Sequence, residues 1–179
     1  MTQAKRIETE RLFLRALTAA DATDAYAGWM NDPSVNRHLE SRFATLAKPD
    51  LVRFIDACNA DPSTHLFGIF LRDGDAHIGN IKLGPVNAYH GLGDIGLVIG
   101  SSSHWGKGYA REAIAALTQF AHGMLALEKV TASCYGSNVG SRKAFVAAGF
   151  VVEGVRHRHF RSDDGREDGI MMAHFRPSK

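Results

Sequence analysis

The stretch that most constrains this chain runs from Asp94 to His122. Asp94-Ile-Gly-Leu-Val-Ile-Gly100 is a short apolar run ending on glycine, the pattern of a buried strand. Arg111 to His122 follows, with Ile114, Leu117 and Ala121 at i, i+3 and i+7, one face of a helix. Between them stands Trp105-Gly106-Lys107-Gly108-Tyr109-Ala110, so the glycines fall on a strand-to-helix turn. Backbone N–H groups opening a helix have no partner within it, and glycine lets a ligand approach them without a Cβ in the way. With the positive end of the helix dipole added, such a turn suits a phosphate or pyrophosphate. The same glycines would also ease a turn that binds nothing, and the hexapeptide alone leaves both readings open.

Two phosphate loops are excluded. A Walker loop needs Ser or Thr after Gly-Lys, whereas Gly108 follows Gly106-Lys107. A dinucleotide fingerprint needs a third glycine where Arg111 stands, and no βαβ unit opens the chain.

Residues beyond the hexapeptide narrow the choice. Trp105-Gly-Lys-Gly-Tyr-Ala110 resembles the (Gln/Arg)-x-x-Gly-x-(Gly/Ala) loop of the GNAT superfamily of N-acetyltransferases. Asn138-Val-Gly-Ser141-Arg-Lys-Ala-Phe-Val-Ala-Ala-Gly149-Phe150 is similar to that family's Asn-x-x-Ser…Gly-Phe helix. Glu8-Thr-Glu-Arg11-Leu-Phe-Leu-Arg15 and Ile78-Gly-Asn-Ile81 also resemble family segments, in the family's order. The branch resembled most contains the ribosomal-protein-alanine acetyltransferases and some amino-sugar acetyltransferases. One departure is Trp105, where many members carry Gln or Arg; aromatic residues there resemble usage in this branch.

The resemblance implies acetyl-CoA as co-substrate. It places the cofactor against the backbone of Leu97, Val98 and Ile99, with the pyrophosphate on the Gly106–Ala110 amides. Trp105, Lys107 and Tyr109 belong to the same loop, and Asn138 and Lys143 sit on the second motif's helix. The family position of Ser141 lies near the thioester sulfur, where a hydroxyl protonates the leaving thiolate. Some members use a tyrosine further along, but Phe145 holds that place here and has no proton to give. Asp94 resembles the glutamate that precedes Ile-Gly in related enzymes, which makes it the candidate general base. By the same analogy Trp29, His38, Phe43 and His90 line the acceptor pocket. From the residues alone, Asn138 reads equally as a plain helix cap and Asp94 as a strand-end carboxylate in solvent, and Ser141 reads as a solvated polar residue.

Composition sets bounds. At 179 residues the chain is most simply one domain, 1–179, with enough core to need no staples. A hydrophobic share of 45% and a charged share of 22% are those of a soluble globular protein. A net charge of +2 gives no bulk argument for nucleic acid. Cys58 and Cys134 read as buried thiols rather than a disulfide, which suits a cytoplasmic location. The leader Met1-Thr-Gln-Ala-Lys-Arg-Ile has no apolar signal core, and no run approaches the ~18 apolar residues of a membrane span. His157 and His159 share a strand face on simple alternation, yet no Cys/His spacing completes a ligand set, so no metal is expected. Arg156-His-Arg-His-Phe-Arg161 is basic and aromatic, but Asp163, Asp164, Glu167 and Asp168 follow, which favours a solvated hairpin over a nucleic-acid surface.

Taken in order, Arg11–Arg15 reads as a strand, and Thr18-Ala-Ala-Asp21 as a capping box opening a helix to Ala27, broken by Trp29-Met-Asn-Asp-Pro33. A helix from Thr45 to Cys58 tolerates Pro49 only in its first turn. Strands at 65–71 and 76–83 flank a hairpin turn at Arg72–Asp75, and Gly84–Gly93 is a loop. After the central helix come a strand at 129–134, a helix between Asn138 and Gly149, and strands at 150–160 and 170–175. The last two are joined by a turn-rich segment beginning Ser162-Asp-Asp-Gly165. The predicted class is α+β (mixed α/β): one mostly antiparallel sheet covered by helices, the fold the resemblance implies.

The reaction expected is direct attack of a primary amine on the thioester, since neither Cys58 nor Cys134 has a base beside it in sequence. At pH ~7 a lysine-like amine of pKa ~10.4 is neutral about 0.04% of the time, an α-amine of pKa ~7.7–8.0 roughly 9–17%. An enzyme for protein N-terminal α-amines therefore manages with a weak base or a water chain. Amino-sugar acetylation is the alternative within enzymes, and a silent acyl-CoA sensor or a basic-hairpin RNA-binding protein outside them. A monomer and a homodimer fit equally.

Overall fold

The computed structural model describes residues 6–162 and 165–178. Asp163 and Asp164 of the expected turn, and residues 1–5 of the leader, lie outside the described residues.

Among the described residues, eight strands make one sheet: β1 (Ile7–Glu8), β2 (Leu12–Ala16), β3 (His65–Leu71), β4 (His77–Leu83), β5 (Leu92–Ile99), β6 (Lys129–Tyr135), β7 (Val151–Ser162) and β8 (Gly165–Phe175). Their spatial order is β1-β2-β3-β4-β5-β6-β8-β7. Five α-helices among the described residues accompany them: α1 (Asp24–Asn31), α2 (Pro33–Asn36), α3 (Lys48–Ala60), α4 (Tyr109–Gly123) and α5 (Val139–Ala147).

Helices cover both faces of the central strands, which is why β3 reads as a continuous apolar run rather than an alternating one. Leu12, Leu14, Phe67, Ile69, Ile81 and Ile95 join Ile114, Leu117 and Phe120 of α4 and Phe145 of α5 in one core. On the other face Phe13, Leu66 and Phe70 pack with Tyr26 of α1 and Leu51 and Ile55 of α3. Burying such side chains contributes on the order of 1.5–3 kcal/mol each, so these two layers hold the sheet centre rigid.

All neighbouring strands pair antiparallel except β5 and β6. That parallel register is only three residues long: Leu92↔Lys129, Gly93↔Val130 and Asp94↔Thr131. Past Asp94, β5 continues to Ile99 against β4, while β6 continues to Tyr135 against β8. The two strands part, and a gap opens at the C-terminal ends of both.

Several boundaries differ from the sequence expectation. Asp21 does accept from the Thr18 N–H at 2.7 Å, but this capping box closes only a single 3₁₀ turn at Ala19–Asp21. A second cap, Thr23, accepts from the Tyr26 N–H at 3.2 Å and starts α1, which carries Trp29 and Met30 inside it rather than ending before them. β1 and α2 are too short for periodicity to reveal. β8 starts at Gly165, five residues before the expected Ile170, because the last hairpin projects beyond the sheet and its strands stay polar there. Within β7 the register jumps from Arg156↔Gly169 to Phe160↔Glu167, so three residues face Asp168 alone. Asp168 holds this bulge by accepting from the Arg158 N–H at 2.8 Å and pairing with His157 at 3.1 Å. With Arg158 at φ 53°, the alternation that would put His157 and His159 on one face is broken.

Candidate active site

The backbone of β5 has a direction. The Asp94 carbonyl accepts from the Gly84 N–H and the Gly100 N–H donates to the Ile78 carbonyl, both at 2.8 Å, so even-numbered residues face β4. Strand alternation then turns Leu97 and Ile99 the other way, into the gap that β6 has left. Of the expected trio, Leu97 and Ile99 present backbone groups to the gap, and Val98 points its own toward β4. The Trp105 indole N–H donates to the Ile99 carbonyl at 2.9 Å, tying the glycine turn to the end of β5. Gly100 makes room for Trp29 from the opposite side, since a Cβ there would lie 2.0 Å from the indole ring.

The glycine turn follows directly. Gly106 and Gly108 have φ 71° and 82°, left-handed values that cost a side-chain-bearing residue about 1–2 kcal/mol. Gly108 is the N-cap of α4 and has no side chain to bond the first-turn amides. These amides, beside Lys107 and Arg111, fit a pyrophosphate; a side chain at either glycine would have to share their space. The sequence puts Arg11 in the first strand and in the segment that resembles the family's N-terminal one, with no role at the glycine turn. Here its guanidinium donates to the Lys107 carbonyl at 2.9 Å and to Glu112 at 2.8 Å, and lies over the Tyr109 ring at 4.8 Å. Glu112 also accepts from the Thr9 hydroxyl at 2.6 Å and the Arg11 N–H at 2.8 Å. Burial alone would raise the Glu112 pKa, but these hydrogen bonds outweigh it and hold it below the usual value. Glu112 thereby fixes the first turn of α4 to the β1–β2 turn. The signal for this was the spacing Glu-Thr-Glu-Arg, legible only once its partner was known. A concavity of about 550 Å³ on this flank is lined by Thr9, Arg11, Lys107, Arg111 and Gln119, and by no residue of β5 or α5.

On the β6 side of the gap, Asn138 caps α5 by accepting from the Ser141 N–H at 3.1 Å. Ser141 is half-buried and Lys143 exposed. At the point where the strands part, the Thr131 hydroxyl donates to the Asp94 carboxylate at 2.8 Å. Burial pushes the Asp94 pKa up, and the Thr131 hydrogen bond and the charge of Lys82 partly oppose it. Gly96, two residues on along the same face, is exposed, and a Cβ there would meet nothing within 4 Å. Open space therefore lies beside Asp94.

The segment after α2 reaches over the end of β6. His38 lies 3.0 Å from the Ser137 hydroxyl, and the Tyr135 hydroxyl donates to Glu40 at 2.6 Å. Arg42 donates to the Arg161 carbonyl at 2.5 Å and sits over Tyr135 at 5.1 Å. Phe160, re-aimed by the β7 bulge, stacks on Tyr135 with ring centroids 4.1 Å apart. Burial, then the bond to Glu40, pushes the Tyr135 pKa to about 12, so the phenol stays protonated. Burial, assisted by Arg37 and Arg42, lowers that of His38. His38 and Phe43 belong to this wall, with Arg42 over the Phe43 ring at 4.7 Å, and Trp29 stands at the β5 side. His90 lies apart, on the β4–β5 loop, where Gly91 meets Glu128 at the start of β6. Glu40, Tyr135 and Phe160 were not singled out from sequence, since a strand end, a loop glutamate and a bulged residue carry no periodic signal.

Cys58 and Cys134 are free and buried, and burial pushes both thiols above their ordinary pKa. Among the described residues no group of three or more His, Cys, Asp and Glu is placed to hold a metal, and no helix is long and apolar enough to cross a membrane.

Comparison with known proteins gives this geometry a context. The family model described as acetyltransferase (GNAT) domain matches residues 11–151. An uncharacterized N-acetyltransferase, p20 of Bacillus licheniformis, is 28% identical over 166 residues, covering 92% of each chain. Among solved structures, spermidine N-acetyltransferase from Vibrio cholerae in complex with CoA and spermine is similar with TM-score 0.82 and 22% identity, over 92% of this chain and 95% of that one. Mycobacterium smegmatis RimJ in complex with CoA-disulfide is similar with TM-score 0.79 and 20% identity, over 92% of this chain and 81% of that one.

Proposed function

The chain belongs to the acetyltransferase (GNAT) domain family and is an N-acetyltransferase that uses acetyl-CoA, and from that premise we propose that it acetylates a primary amine directly, the preferred acceptor being a polypeptide N-terminal α-amine. The observation that carries the proposal is the parting of β5 and β6 immediately after Asp94↔Thr131, which sets a half-buried carboxylate at the apex of a gap. The glycine turn lies at the gap's open end. All eight described strands share one sheet, which supports a single domain over 1–179.

Acetyl-CoA supplies the activated thioester. The amides opening α4 hold its pyrophosphate, with Lys107 beside them, while Trp105 closes the end of β5. Leu97 and Ile99 line its arm with backbone groups, and Asn138 and Lys143 flank it from α5. Asp94 takes one proton from the incoming ammonium, directly or through one water; the neutral nitrogen then bonds to the thioester carbon, the C–S bond breaks, Ser141 protonates the departing thiolate, and the second proton shed by the nitrogen returns to Ser141. The acceptor enters between Trp29 and the His38–Phe43 segment, with Tyr135 and Glu40 behind it. A half-buried carboxylate is a weak base, matched to an α-amine that is neutral roughly 9–17% of the time at pH ~7 rather than to an ε-amine at about 0.04%.

The experiment is a panel of peptides with free α-amines, Nα-blocked lysine peptides, polyamines and amino sugars, each with acetyl-CoA, following thiol release. Peptide α-amines should give the highest kcat/KM. Preference for a polyamine or an amino sugar by tenfold or more would replace the acceptor while keeping the reaction. No thiol release with any amine, despite acetyl-CoA binding, would favour a silent acyl-CoA sensor.

A further inference from the structure

Lys82 is a half-buried cation without an acid partner. Among the described residues no carboxylate forms an ion pair with it, although nine other ion pairs are present. Its cross-strand partner is Gly96, so its long side chain meets no opposing side chain on β5. Asp94 lies on the same face of β5, two residues from Gly96, which makes it the diagonal neighbour of Lys82. Diagonal positions on an antiparallel pair are ~7–8 Å apart at the backbone, within reach of a lysine. The other flank of Asp94 is taken by the Thr131 hydroxyl at 2.8 Å.

Few other charges surround the pair. From α3 comes Cys58, neutral because burial pushes its thiol up. After α3 comes Asp61, whose oxygens accept from the Ser63 and Thr64 hydroxyls at 2.7–3.0 Å. On the same face β6 presents the Thr131 and Ser133 hydroxyls and Lys129, whose ammonium is already paired with Glu153 at 2.7 Å. A carboxylate half-withdrawn from water drifts toward its neutral form and then cannot accept a proton, unless an opposite charge stands close by.

We propose that Lys82 is a positioning residue of the transfer: its ammonium, diagonal to Asp94 across the β4–β5 pair, keeps the Asp94 carboxylate ionised and turned toward the open space at Gly96 where the acceptor amine arrives. The proposal rests on Asp94 being the base. Removing the cation disfavours the ionised form, so the pH at which Asp94 loses its proton rises. A nearby opposite charge moves a carboxylate by ~1–3 units, and for a partly solvated pair about one unit is expected.

The test uses the full chain as wild type, Lys82→Met, Lys82→Arg and Asp94→Asn. Two readouts are taken: the carboxyl ¹³C titration of Asp94, and kcat against pH at saturating acetyl-CoA and a peptide acceptor. Lys82→Met should raise both the Asp94 midpoint and the acidic limb of kcat by about one pH unit, and Lys82→Arg should restore both. A limb that persists in Asp94→Asn overturns the base assignment and the proposal with it. A limb lost in Asp94→Asn but unmoved in Lys82→Met, with an unmoved ¹³C midpoint, overturns the role of Lys82 alone. Circular dichroism and thermal melts establish that each variant is folded.

Discussion

Replacing Gly108 with alanine separates the two jobs of the glycine turn. Gly108 caps α4 at φ 82°, and a Cβ there would meet only the Arg11 guanidinium at 3.4 Å, an ordinary contact. The structural cost is therefore torsional, about 1–2 kcal/mol. In a chain of this size each kcal/mol is worth ~2–4 °C, so the apo melting temperature should fall by about 2–8 °C. The functional cost is separate. The new methyl group stands beside the amides that hold the pyrophosphate, and losing one hydrogen bond to a charged group costs ~1.5–3 kcal/mol, roughly 10–150-fold in affinity. Acetyl-CoA at 100 times its wild-type Kd adds ~2.7 kcal/mol to the wild type, or ~5–11 °C. At the same concentration a variant weakened about 30-fold gains only ~0.9 kcal/mol, or ~2–4 °C. Melts with and without acetyl-CoA give both quantities at once. A variant whose apo protein melts lower but whose ligand-induced gain matches wild type would refute the placement of the pyrophosphate. An unchanged apo melting temperature would refute the torsional argument.

Three further outcomes follow from the same geometry. Ser141→Ala keeps the N–H that Asn138 caps, so it should fold normally and lower kcat toward the low end of ~10²–10⁴-fold with little change in acetyl-CoA affinity, whereas Asp94→Asn should be most impaired at low pH and partly recover at high pH; wild-type rates in both would leave positioning alone as the source of rate. Asp21, bound by Arg15 at 2.7 Å and by Thr18, has its pKa lowered to about 2 against burial, so its contribution is present above pH ~4 and lost as pH falls toward 2. Discounted for the partly exposed Arg15, it is about 1–2 kcal/mol, and melts of Asp21→Asn against wild type from pH 6 to 2 should converge over that window. RNA binding by the β7 hairpin should be weak and lost at moderate salt, because Asp168 and Glu167 sit within it; sub-micromolar, sequence-selective binding near physiological salt would contradict this.

Much of the scaffold was legible because its signals are local. Gly108 and Asn138 mark the starts of α4 and α5 by backbone freedom and side-chain capping, and Pro49 falls in the first turn of α3, where its missing N–H costs nothing. The strand 65–71 matches to the residue, since an apolar run buried on both faces has sharp ends. What sequence could not show depends on tertiary register. Thr18 and Thr23 are both valid caps, and only packing selects the second for α1. That β6 leaves β5 after Thr131 is a property of two strands 37 residues apart in sequence, so the gap itself was invisible. The same holds for Arg11 gripping Glu112, for the bulge that turns Phe160 onto Tyr135, and for Lys82 lying opposite Gly96. Asp94 and Ser141 could be named from a motif, but not the apex that separates a strand-end carboxylate from a candidate base.

The most direct measurement is a crystal structure of the protein with CoA and an acceptor peptide. The pyrophosphate is expected on the amides that open α4 next to Gly108, the pantetheine arm along Leu97 and Ile99, and the sulfur between Asp94 and Ser141, with the peptide amine over Gly96. CoA lodged instead in the concavity lined by Thr9, Arg11 and Gln119, with the gap between β5 and β6 empty, would contradict it.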